Sequence, residues 1–199
     1  MVQALNYLKE SASQTAGPYV HIGLAPGDAG FDIYAQELGR DIVGPNAQGA
    51  RITVTGTVTD GTGAPVKDVL IEVWQANAQG IYPGAGAVED GFRGWGRVIP
   101  DFETGAFSFS TVKPGGVVGR NGRPMAPHLN LWLVARGINV GLNTRMYFGD
   151  ETAANDADPV LNLIEQVHRR ETLIARPEAN GYRFDICLQG DGETVFLDI

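Results

Sequence analysis

With one cysteine, three methionines and three histidines among its 199 residues, the chain has little material for sulfur chemistry or for clusters of imidazoles. Cys187 has no partner for an intrachain disulfide. It falls in the apolar alternation of FDICL, so it reads as a small buried hydrophobe. No run of Lys or Arg occurs, and 15 basic against 23 acidic side chains leave a formal net charge of −8. Such a surface repels phosphate backbones and anionic membranes, which disfavours both as partners. No apolar stretch is long enough to cross a bilayer. The opening MVQALNYLKESASQ lacks a basic start followed by an apolar run, so the expectation is a soluble chain that stays in the cytoplasm.

What is abundant is punctuation. Twenty-seven Gly and 11 Pro separate short alternating runs, the pattern of an antiparallel sandwich or barrel, and 43% hydrophobic content suffices for one sizeable core. The expected fold is all-β, a two-layer sandwich of mainly antiparallel strands with long loops and one short helix, forming a single domain over 1–199. In RITVTGTVTD, Ile52, Val54 and Val58 share one face and the threonines the other. With the turn GTGAP and the run VKDVLIEVWQAN this predicts a hairpin. GAFSFSTV, HLNLWLVA, TRMYF, YRFDICL and ETVFLDI read as further strands, with Phe107 and Phe109, and Leu129, Leu131 and Leu133, as same-face sets. After DADP the sequence predicts a helix, a structural appendage, with Asp158 as N-cap, Pro159 at its first position and Val160, Leu161 and Ile164 on its apolar face. The segment from Tyr82 to Trp95 and the first 50 residues lack either period, apart from a short helix near the N-terminus. Long loops containing Tyr82, Phe92 and Trp95 are poor candidates for disorder, so both read as partner-facing, with 1–50 an arm packed on another subunit.

Three segments carry the strongest signal: IEVWQANAQGIY at 71–82, STVKPG at 110–115 and APHLNLWLVARG at 126–137. In this order and spacing they resemble the intradiol ring-cleaving dioxygenases. In that family two tyrosines, one in a GRY and one in a KPGPY motif, and two histidines in RPAHIH hold one ferric ion. Hard Fe(III) suits phenolate oxygens, and two imidazoles complete a mixed site with room for a catechol to chelate. This chain matches in part. GIY supplies Tyr82 and APH supplies His128, but Val117 stands where the second tyrosine belongs, Asn130 replaces the second histidine, and Met125 takes the place of the arginine before the first. The remaining pair cannot make a closed iron site, so Tyr82 and His128 read as a packed tyrosine and a hydrogen-bonded core histidine. No metal and no catalytic residue are assigned to this chain.

Nearly the whole length, including 13–24 and 189–199, is similar to the α chains of the family's heteromeric, protocatechuate-cleaving members. The resemblance implies a non-catalytic subunit that lends part of the substrate pocket to a β subunit holding the Fe(III). It implies as product 3-carboxy-cis,cis-muconate, made from 3,4-dihydroxybenzoate and O2 in a higher-order oligomer of αβ units. It also implies that Thr15, Gly17, Pro18 and Arg136 line that pocket, with the Arg136 guanidinium facing the ring carboxylate directly or through water. Arg145, Arg169 and Arg170 read as surface ion-pairing residues outside the site. Trp74, Trp95 and Trp132 read as core or subunit packing, and His21 and His168 have no ligand-like spacing. Two alternatives stay open: a non-enzymatic immunoglobulin-like or transthyretin-like binding module, which the first hairpin would fit, and an iron enzyme acting alone with unusual ligands.

Overall fold

The computed structural model describes residues 15–119 and 122–198. A short helix, α1 (Pro18–Leu24), opens it; Pro18 occupies the first turn, where its missing N–H costs nothing, and Pro26 comes just past the end. The strands are β1 (Arg51–Thr59), β2 (Leu70–Trp74), β3 (Trp95–Val98), β4 (Ala106–Val112), β5 (Val117–Val118), β6 (Pro124–Met125), β7 (His128–Val134), β8 (Leu142–Phe148), β9 (Ile174–Glu178), β10 (Gly181–Arg183) and β11 (Ile186–Cys187), with α2 (Thr152–Ala157) after β8.

Two layers result. One runs β3-β2-β7-β8, and the other has β1 paired with β4 on one side and with β10 and β11 on the other. β9 joins them, pairing β8 through Ile174 and Ala175 and β10 through Arg176 to Glu178. Most pairings are antiparallel; β1 with β10, β1 with β11, and β8 with β9 are parallel. Ile52, Val54, Val58, Ile71, Val73, Phe107, Leu129, Leu131, Leu133 and Phe148 meet in one core between the layers. Each such side chain contributes roughly 1.5–3 kcal/mol of transfer free energy. Phe109 packs on this core only partly buried. The core face of β1 has room for no side chain at Gly56, where a Cβ would overlap the Phe107 ring and the Phe184 carbonyl.

Four expectations change. The turn after β1 forms, with Asp60 N–H donating to Ala64 O at 2.9 Å and Val66 N–H to Val58 O at 2.8 Å. The chain then leaves for the other layer, so β1 and β2 are not a hairpin, and β2 pairs β3 and β7 instead. ETVFLDI is not a strand over its described residues. It runs alongside, held by Thr194 N–H to Cys187 O (2.9 Å) and Leu197 N–H to Asn143 O (2.8 Å). Asp158 does cap, accepting from Val160 N (2.8 Å) and Leu161 N (3.0 Å), but the segment it caps is a single 3-10 turn at Leu161–Leu163, and the α-helix of this region precedes it. Cys187 is half-buried, because Ile186 takes the inward position beside it.

Candidate functional site

The motif segments converge because buried amides fasten them. At the end of β2, Gln75 is fully buried; its Nε2 donates to Val112 O at 2.9 Å and its Oε1 accepts from the Thr111 hydroxyl, tying the WQAN segment to the end of β4. Asn77 folds the next turn: its Oδ1 accepts from Gln79 N (3.1 Å) and Ile81 N (2.9 Å), and its carbonyl accepts from Gly115 N (3.0 Å). Gly80 lies in the left-handed region at φ +79°, against the Gly116 carbonyl. Lys113 clamps the KPG loop from below, bonded to Asp150 (2.9 Å) and Glu151 (2.7 Å). Burial works against its charge, but the two carboxylates overcome that and hold its pKa above the usual lysine range. The result is a GIY loop that presents Tyr82 to the start of β7.

There the Tyr82 oxygen lies 3.2 Å from His128 Nε2 and accepts from Asn130 Nδ2 at 2.7 Å. His128 Nδ1 lies 2.7 Å from the Ala126 carbonyl, so Nδ1 carries the hydrogen and Nε2 accepts from the Tyr82 hydroxyl. Burial, and after it the charge of Arg145, push the His128 pKa down to about 4, leaving the ring neutral. Burial raises the Tyr82 pKa despite the Asn130 hydrogen bond and the Arg145 charge, so the phenol keeps its proton. On its other side Asn130 Oδ1 accepts from Arg145 Nε at 3.0 Å. Arg145 Nη1 lies 3.4 Å from the Tyr147 oxygen and 3.5 Å from Met125 Sδ. Tyr147 donates to Asp158 Oδ1 at 3.2 Å, and Asp158 Oδ2 accepts from Ala126 N at 2.8 Å. A closed chain of hydrogen bonds thus runs from His128 through Tyr82, Asn130, Arg145, Tyr147 and Asp158 back to Ala126.

These donors do not fit a ferric ion. The Tyr82 oxygen faces the N–H end of an amide, Val117 offers no lone pair opposite Met125 in the β5–β6 pair, and a guanidinium adjoins the place. Among the described residues no group of three or more His, Cys, Asp and Glu side chains is placed to hold a metal.

Sequence reasoning puts Arg145 among the surface ion pairs. The structure instead makes it a member of this network, because the β7–β8 register sets it directly opposite Asn130. Tyr147 and Asp158 likewise escape the sequence reading as network members. The turn after Asp158 is therefore no appendage: Leu161 packs with Ala126 and Tyr147 in a second buried cluster. Arg169 does pair with Glu193, at 2.9 Å, whereas Arg170 bonds the Asn162 side chain and the Ile164 carbonyl. The three tryptophans are not in the core. Trp74, Trp95 and Trp132 line an outer groove of about 340 Å³ with Tyr82 and Asn130, and Trp74 stacks on Tyr82 with centroids 5.7 Å apart.

The other predicted residues meet elsewhere. Gly17, Pro18 and Arg136 line a cavity of about 330 Å³ with His21, Phe102 and Asp68. Thr15 fastens the arm to the chain on either side of Arg136: its Oγ1 accepts from Gly137 N at 2.6 Å and lies 3.3 Å from Ala135 O. Arg136 comes after the end of β7, whereas His128 begins it. At about 3.3 Å per residue the two places are roughly 20 Å or more apart.

The family model described as Dioxygenase matches residues 32–190. The chain is 52% identical over 198 residues to the protocatechuate 3,4-dioxygenase alpha chain of Pseudomonas putida, covering 98% of both. It is 36% identical over 168 residues to the beta chain of that enzyme from Burkholderia cepacia, covering 73% of this chain and 67% of the other. Among solved structures, hydroxyquinol 1,2-dioxygenase from Pseudomonas putida DLL-E4 superposes with a TM-score of 0.60 at 20% identity, covering 79% of this chain and 64% of that one, a likeness of fold. With the family model spanning most of the chain, these matches leave the binding-module alternative without support.

Proposed function

This chain belongs to the intradiol ring-cleaving dioxygenase family, and from that premise we propose that it is the non-catalytic α subunit of a heteromeric protocatechuate 3,4-dioxygenase. The observation that carries the reading is the separation along β7. The pocket at Arg136 is too far from Tyr82 and His128 for one small catechol to touch both, and those two residues are engaged with each other. The pocket therefore needs another chain to bring the reacting centre to it. That chain is a β subunit, homologous to this one, which holds the family's Fe(III). When bound there, the ion supplies Lewis-acid activation of the catechol, whose ring opens with O2 between the two hydroxyl-bearing carbons.

On this reading the α chain does the binding and shaping. Arg136 presents guanidinium N–H groups to the ring carboxylate of 3,4-dihydroxybenzoate, an interaction of about 1.5–3 kcal/mol when well desolvated. Gly17 and Pro18 form the wall beside it, and Thr15 keeps that wall in place. The arm, of which residues 15–50 are described and 1–14 lie outside the described residues, packs on the partner through its described part. Tyr19, Phe31, Ile33, Tyr34 and Leu38 are all exposed along it, large apolar side chains that a partner surface would cover. The αβ units assemble into a larger cytoplasmic oligomer; among the described residues no helix is long and apolar enough to cross a membrane.

Coexpression with a β-type chain tests the reading. A burgundy complex that cleaves protocatechuate, beside a colourless and inactive isolated chain, is the expected outcome. An isolated chain that is coloured and active would overturn it.

A further inference from the structure

The arm cavity holds one charged pair whose arrangement bears on the substrate. Asp68, in the KDV segment before β2, places Oδ2 2.5 Å from Arg136 Nε. Both residues line the cavity. The Arg136 side chain is 74% exposed and that of Asp68 28%. An exposed pair of this kind contributes little to folding. Its backbone, however, is held firmly: Val69 and Leu70 beside Asp68 and Ala135 beside Arg136 are buried in the fold, and Thr15 braces Ala135 and Gly137. A guanidinium offers a carboxylate two edges, one using Nε and one using only the terminal nitrogens. Asp68 occupies Nε.

We propose that Asp68 is a positioning residue for substrate binding: it fixes the Arg136 guanidinium on its Nε edge, so that the two terminal nitrogens face the cavity and take the ring carboxylate end-on. The inference rests on the reading of Arg136 as the carboxylate-binding group. Untethered, so exposed an arginine populates many rotamers, and ordering it on binding weakens affinity. The opposing effect is repulsion between the Asp68 carboxylate and the anionic substrate; with Asp68 on the Nε edge and the substrate on the opposite edge, the guanidinium stands between the two anions and offsets it. Positioning therefore outweighs repulsion, and neutralising Asp68 weakens binding of the carboxylated substrate.

The test uses the assembled αβ enzyme, with protocatechuate and with catechol, which lacks the carboxylate. Asp68→Asn is expected to raise KM for protocatechuate about 3–10-fold, with kcat within about twofold and the constants for catechol unmoved. Asp68→Glu should recover most of the loss. In an Arg136→Ala background Asp68→Asn should add nothing, since there is no guanidinium left to orient. If Arg136→Ala raises KM but Asp68→Asn leaves it unchanged or lowers it, the positioning role falls and the reading of Arg136 stands. Equal losses for the two substrates, or a further loss without Arg136, overturn the role as well. Should Arg136→Ala itself leave KM for protocatechuate unmoved, both fall together.

Discussion

Replacing Asp158 by alanine removes the one group to which four donors point. Its carboxylate is fully buried and accepts from Ala126 N (2.8 Å), Val160 N (2.8 Å), Leu161 N (3.0 Å) and the Tyr147 hydroxyl (3.2 Å). Val160 is half-buried and its amide can turn to water, but Ala126, Leu161 and Tyr147 are shut away from solvent. A buried donor without a partner costs about 1–3 kcal/mol. Three of them, partly relieved by a water entering the polar gap, give an expected loss of about 3–5 kcal/mol. For a chain of this length that is a fall in Tm of roughly 6–20 °C. Asp158→Asn keeps the shape and one acceptor but turns an N–H toward donors, and should lose about 2 kcal/mol. Urea unfolding monitored by circular dichroism measures both. An alanine variant within about 1 kcal/mol of the parent protein would show that these hydrogen bonds do not hold the region together.

Stability should also depend on pH through His128. Its pKa is near 6.5 when unfolded and about 4 when folded, because burial first and Arg145 second disfavour the charged ring. Between those values the unfolded chain binds a proton that the folded chain does not, so stability is full above about pH 6.5 and falls toward pH 4 by up to about 3 kcal/mol. Urea midpoints at pH 7 and pH 5 measure this slope, and His128→Phe should flatten it; an unchanged slope in the variant refutes the assignment. Arg145→Leu removes a cation beside the imidazole, so the His128 titration monitored by NMR should move upward, with about 1–2 kcal/mol lost as Asn130 Oδ1 loses its donor. Gly80→Ala forces a side chain into the left-handed region against the Gly116 carbonyl and should cost more than about 2 kcal/mol, read as a lower urea midpoint.

Periodicity made the strand faces legible and left the partners obscure. The inward sets on β1, β4 and β7 come from alternation alone, because a half-buried strand must put every second residue in the core. The identity of the neighbouring strand does not: GTGAP turns the chain as expected, yet the choice between pairing β1 and crossing to β7 depends on surfaces far along the sequence. β3 begins at Trp95, the last residue of the stretch that reads as loop, and escapes the sequence reading, since only Trp95 to Val98 are regular and Gly96 interrupts the pattern. At the site, the surviving and missing ligand positions can be named from the motifs, but the network around Asn130 cannot. Arg145 enters it through cross-strand register, a relation between segments fifteen residues apart that spacing alone does not reveal. A pairing of TRMYF against HLNLWLVA, drawn out residue by residue, would have found it.

The amide of Asn130 has consequences for any attempt to rebuild a metal centre here. Its two ends are engaged with opposite polarity, hydrogen toward the phenol and oxygen toward the guanidinium, so the side chain has a single workable orientation and locks both neighbours into theirs. Exchanging it for imidazole frees the cation it was restraining, which then competes for the same space and charge as an incoming ion. Reconstruction is thus at least a three-position problem, at 117, 130 and 145 together, and a double replacement that keeps the arginine is expected to emerge from purification without iron.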